Sequence, residues 1–292
     1  MISMQPRNAR PRRAFRILPI AATLCAVAGL VCVAPACSDA RANVAPVQSA
    51  PVYLDQFNPF IALQNGVLDG SFTVGQLKGV GNFALGAANA LNGEMMMLDG
   101  VFYRFDVGGR AVVAPNTQHM PFALVSRWPV ATATRSTLPP GTTYPNPPAF
   151  DPFFRSANRF YSLRAHGTFA CMVVRTFAPQ TKPYPPVSRI RMKVDTLRNV
   201  TGTFIGYREP PFVGGTSYPG YHVHFIDDAH VHGGHVLNFR TGTAGIVLTH
   251  ADLGGLRLHP DTTQLYLHAD LTQVMTGTPP PPPVPPIGCP AA

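Results

Sequence analysis

A β-rich α+β fold, two packed mixed sheets with few helices, follows from three features of the sequence. Thirty-two Pro and 26 Gly punctuate the chain too often for long helices. Short runs rich in β-branched and aromatic residues are bounded by Gly and Asp turns, with little sign of a three-to-four-residue period. Helical stretches also fail to alternate with strands, so a parallel βαβ architecture is not expected. With 46% hydrophobic and only 13% charged residues, the chain has ample apolar material for a core.

Residues 1–36 read as a signal peptide, outside the fold. Arg7, Arg10, Arg12, Arg13 and Arg16 form the charged region, residues 17–33 the apolar run, and Ala34-Pro35-Ala36 the small-residue cleavage site. Arg12-Arg13 also fits a twin-arginine signal, and either route predicts an exported protein, periplasmic or extracellular. Cys37 would be the site of a lipid anchor, the one membrane contact expected, but the preceding residues lack the Leu of a lipobox. Residues 37–52 are a flexible lead-in, 53–188 an N-terminal mixed-sheet subdomain, 189–275 a C-terminal subdomain, and 276–292 a Pro-rich disordered tail.

Within the body, residues 66–77 read as a short linker and helix, and 83–97 as Gly/Ala-rich turns leading into a strand. Residues 95–98 and 101–105 form a hairpin across Asp99-Gly100, followed by a strand at 110–114. Residues 137–152 are Pro-rich, without a regular pattern. Residues 160–164 and 168–175 read as two strands joined by a turn at Ala165-His166-Gly167. Further strands are expected at 189–194, 201–207, 221–226, 235–239 and 243–248.

The formal charge of +9 does not argue for nucleic acid: five Arg lie in the removable segment, and no basic cluster interleaved with aromatics follows. Cys25 and Cys32 leave with the signal; Cys171 sits in an apolar run and reads as a small core residue, whereas Cys37 and Cys289 lie in the ends and could pair. Acids are scarce, with two Glu, Glu94 and Glu209, among 14 acidic residues, so each Glu matters. Glu209, before Pro210-Pro211, reads as a loop residue.

The most informative stretch is residues 219–239. Residues 221–226 alternate as a strand, which puts His222 and His224 on one face. Residues 227–234 make a polar, Gly-ended turn, so His235 on the returning strand faces that pair across the hairpin. Three neutral imidazoles with an open position form a catalytic type of metal site. His230 and His232 read as solvated turn residues.

Several segments in order resemble the alpha-acetolactate decarboxylase family: Leu68-Asp69-Gly70, residues 90–103, residues 120–123, Phe160-Tyr161 with residues 168–176, residues 182–186, residues 202–206, residues 219–228 and residues 233–237. The resemblance implies a metal-dependent carboxy-lyase converting (S)-2-acetolactate to (R)-acetoin and CO2, with zinc as the metal, and a homodimer. It matches His222, His224 and His235 to the metal ligands, Glu94 to an acid/base and Arg175 to an active-site arginine. The residue types suit that chemistry, because a Lewis acid polarises the keto oxygen, a guanidinium orients a carboxylate and a carboxyl delivers a proton.

The chain also departs from the pattern. The family places a second Glu after an Ala-Asp-Leu triplet; Ala269-Asp270-Leu271 is present, but residues 272–278 hold no acid. A hydroxyl-bearing position reads Ala87, and an Asp reads Asn89. Either Glu94 handles the proton alone with water, or activity or stereochemistry is altered. An exported metal-binding relative with lost activity is the alternative reading. A cupin-like metal enzyme is the second alternative, but it would want a Glu soon after the His pair, where Asp227-Asp228 stands.

Overall fold

The computed structural model describes residues 50–272 and Cys289. The signal peptide, most of the lead-in and the tail apart from Cys289 lie outside the described residues. In chain order the strands are β1 (Leu54–Phe57), β2 (Phe72–Thr73), β3 (Phe83–Ala87), β4 (Glu94–Leu98), β5 (Val101–Phe105), β6 (Ala111–Val113), β7 (His119–Met120), β8 (Phe122–Ser126), β9 (Thr134–Leu138), β10 (Thr143–Tyr144), β11 (Phe160–Phe177), β12 (Met192–Glu209), β13 (Gly220–Asp227), β14 (Gly233–Thr241), β15 (Ile246–Leu253) and β16 (Leu256–His259). The α-helices are short: α1 (Phe60–Gln64), α2 (Val74–Val80), α3 (Pro147–Phe150) and α4 (Gln264–Leu267). The β-rich expectation holds.

One seven-stranded sheet runs β16-β1-β8-β3-β4-β5-β6, and its single parallel pair is β1–β16. The other runs β10-β14-β13-β12-β11-β15-β9 and is antiparallel throughout. Strand membership does not divide at residue 188: β9, β10 and β11 join the second sheet, and β16 returns to the first.

An additional pairing of β14 with β11 closes β11, β12, β13 and β14 into a ring. Phe169, Met172, Val174, Phe204, Phe225, Val236 and Phe239 fill its interior as one apolar cluster. Ile205, Tyr207 and Ile226 instead pack with Phe83, Leu85, Met96 and Phe122 of the first sheet. Strands sandwiched this way are buried on both faces, which erases the in–out alternation a one-sided strand shows.

The expected hairpin at 160–175 is instead a single strand of 18 residues, and the separate strands expected at 189–194 and 201–207 are one as well. The stretches that read as breaks, His166 to Thr168 and Asp195 to Asn199, are exposed or half-buried parts of the strands. Gly167 is no turn residue. It lies opposite Gly202 across the β11–β12 ladder, and a Cβ there would overlap Ile246. The Pro-rich stretch 137–152 is also ordered: it holds the end of β9, then β10 and α3.

The parity of β11 changes partway along. Tyr161, Leu163, Ala165 and Phe169 belong to the ring interior, but after Cys171 the interior residues are Met172 and Val174. The change coincides with a register irregularity against β14 between Phe169 and Cys171. A bulge re-aims every side chain beyond it, and Arg175 consequently points out of the ring, toward the first sheet.

Candidate metal centre and active site

Local strand geometry places the three histidines. His222 and His224 share a face of β13, and His224 lies in register with His235 of β14. His235 in turn lies in register with Arg175 of β11. The row therefore crosses three strands, and its side chains face the first sheet because the ring interior takes Val223, Phe225 and Val236. Close strand approach is required: a Cβ on Gly206 would overlap the His222 carbonyl oxygen, and one on Gly233 the Phe225 carbonyl oxygen.

One ligand nitrogen from each of His222, His224 and His235 lies within 4.8 Å of the others, and all three residues are buried. His224 Nδ1 donates to the Met95 carbonyl at 2.9 Å. That bond fixes the tautomer, since a carbonyl can only accept, and leaves His224 Nε2 with a free lone pair. It faces His235 Nδ1 at 3.3 Å, while His222 Nδ1 is buried with no partner. Burial, reinforced by the nearby Arg175 charge, pushes His222 down to about 3; burial likewise holds His224 and His235 well below the ordinary imidazole range. Neutral, converging and under-satisfied ring nitrogens fit a metal ion's needs.

Glu94 and Met95 open β4, so the first sheet supplies both the carboxylate and the carbonyl that orients His224. Glu94 Oε2 lies 3.6 Å from His224 Nε2, and Arg175 Nη1 donates to Glu94 Oε1. The Glu94 carboxyl is 4% exposed, and burial raises its pKa although the Arg175 charge and hydrogen bond oppose the shift. Arg175 also lies over the Phe177 ring, at 4.7 Å from its centroid. The sequence-derived five, Glu94, Arg175, His222, His224 and His235, thus come together between the two sheets.

His230 and His232 are exposed and stay outside this group, although His230 Nδ1 meets the Tyr103 hydroxyl at 3.0 Å and His232 Nδ1 meets Asp227 at 3.2 Å. Asn89 holds the peptide of Gly70 from both sides, accepting from its N–H and donating to its C=O, a pairing an ionised Asp could not complete.

Three features escape the sequence reading. Glu209 is no loop residue: it closes β12, is 1% exposed, and finds no hydrogen bond for either carboxylate oxygen. Burial pushes its carboxyl up to about 8, with the Ser217 hydroxyl pulling the other way. It is two residues beyond Tyr207, which faces the first sheet, so strand alternation through Ile205 and Tyr207 was the available signal. Tyr218 packs beside His222, with ring centroids 5.2 Å apart. Cys171 is joined to Cys289 in a disulfide spanning 118 residues, a different pairing from Cys37 with Cys289.

Comparison with known proteins places this arrangement in context. The profile of a family described as alpha-acetolactate decarboxylase matches residues 54–273. A protein of that name from Methylococcus capsulatus is 37% identical over 187 residues, covering 61% of this chain and 69% of its own length. The one from Brevibacillus brevis is 31% identical over 218 residues, covering 74% and 76% respectively. Among solved structures, alpha-acetolactate decarboxylase from Bacillus subtilis strain 168 superposes with a TM-score of 0.71 at 28% identity, over 75% of this chain and 94% of that one.

Proposed function

Because the chain belongs to the alpha-acetolactate decarboxylase family, we propose that it converts (S)-2-acetolactate to (R)-acetoin and CO2, with Glu94 and Arg175 as catalytic residues and His222, His224 and His235 holding a zinc ion. The observation that carries this reading is the convergence of the three neutral imidazoles with an ion pair between Arg175, on the same sheet, and the buried Glu94, supplied by the opposite sheet. When bound, zinc on three imidazoles would supply Lewis-acid polarisation of the substrate's hydroxyl and keto oxygens.

The remaining steps belong to the chain's own groups. Arg175 presents a planar fork suited to a carboxylate and holds one already, that of Glu94. A substrate carboxylate competing for that fork frees Glu94 to take up a proton, in an environment where burial already favours the protonated form. Departure of CO2 leaves an electron pair on the carbon that carried it, and one proton completes acetoin. Glu94 is the carboxyl positioned to deliver it from the β4 side, and a fixed donor on one side gives a single stereoisomer. The metal-ligand candidates among the described residues are the three histidines, and on this reading Glu94 delivers the proton with water as its only helper.

The test is acetoin formation from 2-acetolactate by the purified mature protein, with metal content measured on the same sample. Acetoin that disappears on chelation, returns with zinc, and is lost in Glu94→Gln at unchanged metal content supports the reading. A folded, zinc-replete protein that makes no acetoin overturns it and leaves a metal-binding relative with lost activity.

We also propose that the protein works outside the cytoplasm. The charged and apolar segments of residues 1–36 support export, and the Cys171–Cys289 disulfide suits an oxidising compartment. Fractionation with N-terminal sequencing of the mature chain checks this. The homodimer rests on the family resemblance and is checked by sedimentation velocity.

A further inference from the structure

The polar residues of the site form only half of a closed circuit of neighbours. Starting from Glu94, its Oε2 lies 3.6 Å from His224 Nε2, and the rings of His224 and His222 are 5.3 Å apart. The Tyr218 ring lies 5.2 Å from His222 and edge-on to Phe60 at 5.5 Å, and Phe60 lies 5.5 Å from Phe122. Phe122 is in register with Ala87, and Ala87 with Glu94, which closes the circuit along one face of the first sheet. One arc carries charge, metal-ligand nitrogens and hydrogen-bonding groups. The opposite arc, Tyr218, Phe60 and Phe122, is aromatic, and Ala87 separates the two with nothing larger than a methyl group.

Tyr218 is the adjustable part of this arc. It sits on the segment between β12 and β13 and is only partly buried, whereas Phe122 is fully enclosed by its sheet. Segments joining strands shift more readily than the strands themselves.

We propose that the aromatic arc receives the alkyl substituent on the hydroxyl-bearing carbon of the substrate, and that the Tyr218 ring sets the largest substituent admitted. The proposal rests on the decarboxylase reading above. It follows from the division of the circuit: apart from the Tyr218 hydroxyl, the groups able to pair with carboxylate, hydroxyl and keto oxygens stand on the Glu94–Arg175–histidine side, so the one substituent without polar atoms is left for the aromatic rings. Binding sites commonly orient a small ligand in this way, with a few polar groups opposite an apolar wall. A ring wall one methylene too close discriminates by roughly tenfold or more, the ordinary scale for one CH2 in an apolar pocket.

The experiment compares the wild-type protein with Tyr218→Ala and Tyr218→Phe on 2-acetolactate and on its homologue with ethyl in place of the 2-methyl group. Tyr218→Ala should raise the ethyl-to-methyl ratio of kcat/KM by about tenfold, and Tyr218→Phe should leave it unchanged, because the ring and not the hydroxyl forms the wall. A ratio within twofold of wild type in Tyr218→Ala, with circular dichroism showing a folded protein, overturns the proposal. Calorimetric binding of the unreactive acids 2-hydroxy-2-methylpropanoate and 2-ethyl-2-hydroxybutanoate to the metal-loaded protein reads the wall without turnover. Relative gain of the larger acid in Tyr218→Ala supports the wall even if no acetoin is formed, and equal changes for both acids count against it. Absence of acetoin from wild type speaks only against the decarboxylase reading.

Discussion

Replacing Glu209 with Gln should make the protein more resistant to alkali than the natural chain, by a margin that grows with pH. The Glu209 carboxyl is buried beside Ser217, in register with Gly220, and neither oxygen has a hydrogen-bond partner. Burial raises its pKa from the ordinary 4.5 to about 8. Between those two values the folded chain keeps the proton and the unfolded chain releases it, so stability present at low pH is lost as pH rises through the window. At about 1.4 kcal/mol for each factor of ten, ionising the group in place costs on the order of 5 kcal/mol, of which about 4 kcal/mol is lost between pH 5 and pH 9. Glutamine has the shape of the protonated acid and does not titrate. The assay is urea unfolding of both proteins at pH 5, 7 and 9, followed through Trp128, the single tryptophan. All other titrating groups are common to both chains and cancel in the difference. The variant should gain about 4 kcal/mol on wild type across the range. A difference constant to about 0.5 kcal/mol would refute the reasoning, because the native carboxylate would then be ionised and well solvated where it stands.

Three further outcomes follow from particular contacts. In Glu94→Gln, kcat should fall by at least about a hundredfold, the scale of losing a positioned proton donor, while zinc content stays at wild-type level; retained turnover would move the proton step elsewhere. Gly206→Ala puts a methyl group onto the His222 carbonyl oxygen and must push β12 from β13. A melting-point loss and weaker zinc retention against a competing chelator should appear together, and unchanged values would show that the ladder absorbs the methyl. Cys289→Ser removes the closure of a 118-residue span and should cost about 2–4 kcal/mol in denaturant unfolding. Reductant should lower wild-type stability to the variant's level and leave the variant unaffected.

The parts of this protein legible in the sequence are those set by neighbours along the chain. The β-rich class follows from turn-residue density, and the β4–β5 hairpin follows from Asp99-Gly100 between two apolar runs. The His222–His224 pair follows from the two-residue period of a strand, and His235 from a turn short enough to return the chain to the same face. Glu94 and Arg175 came from motif resemblance, since neither their spacing nor their composition links them to the histidines.

The rest depends on which surfaces meet. β11 and β12 read as broken strands because each runs through a polar, partly exposed stretch, His166 to Thr168 in one and Asp195 to Asn199 in the other, and only the long ladder between them keeps those stretches extended. The direction of Arg175 depends on a bulge between Phe169 and Cys171 against Thr241 and Arg240 of β14, far along the chain, which reverses the parity of the β11 side chains beyond it. Glu209 read as a loop residue beside its prolines and is buried at the end of β12, in register with Gly220 of β13 and with Ser217 beside the carboxyl. Cys171 finds Cys289 across 118 residues. Sequence alone determined the strands and the ligand hairpin, whose geometry is local. Only the tertiary structure decided what faces that hairpin, because two sheets packed face to face bring together residues whose separation along the chain carries no signal.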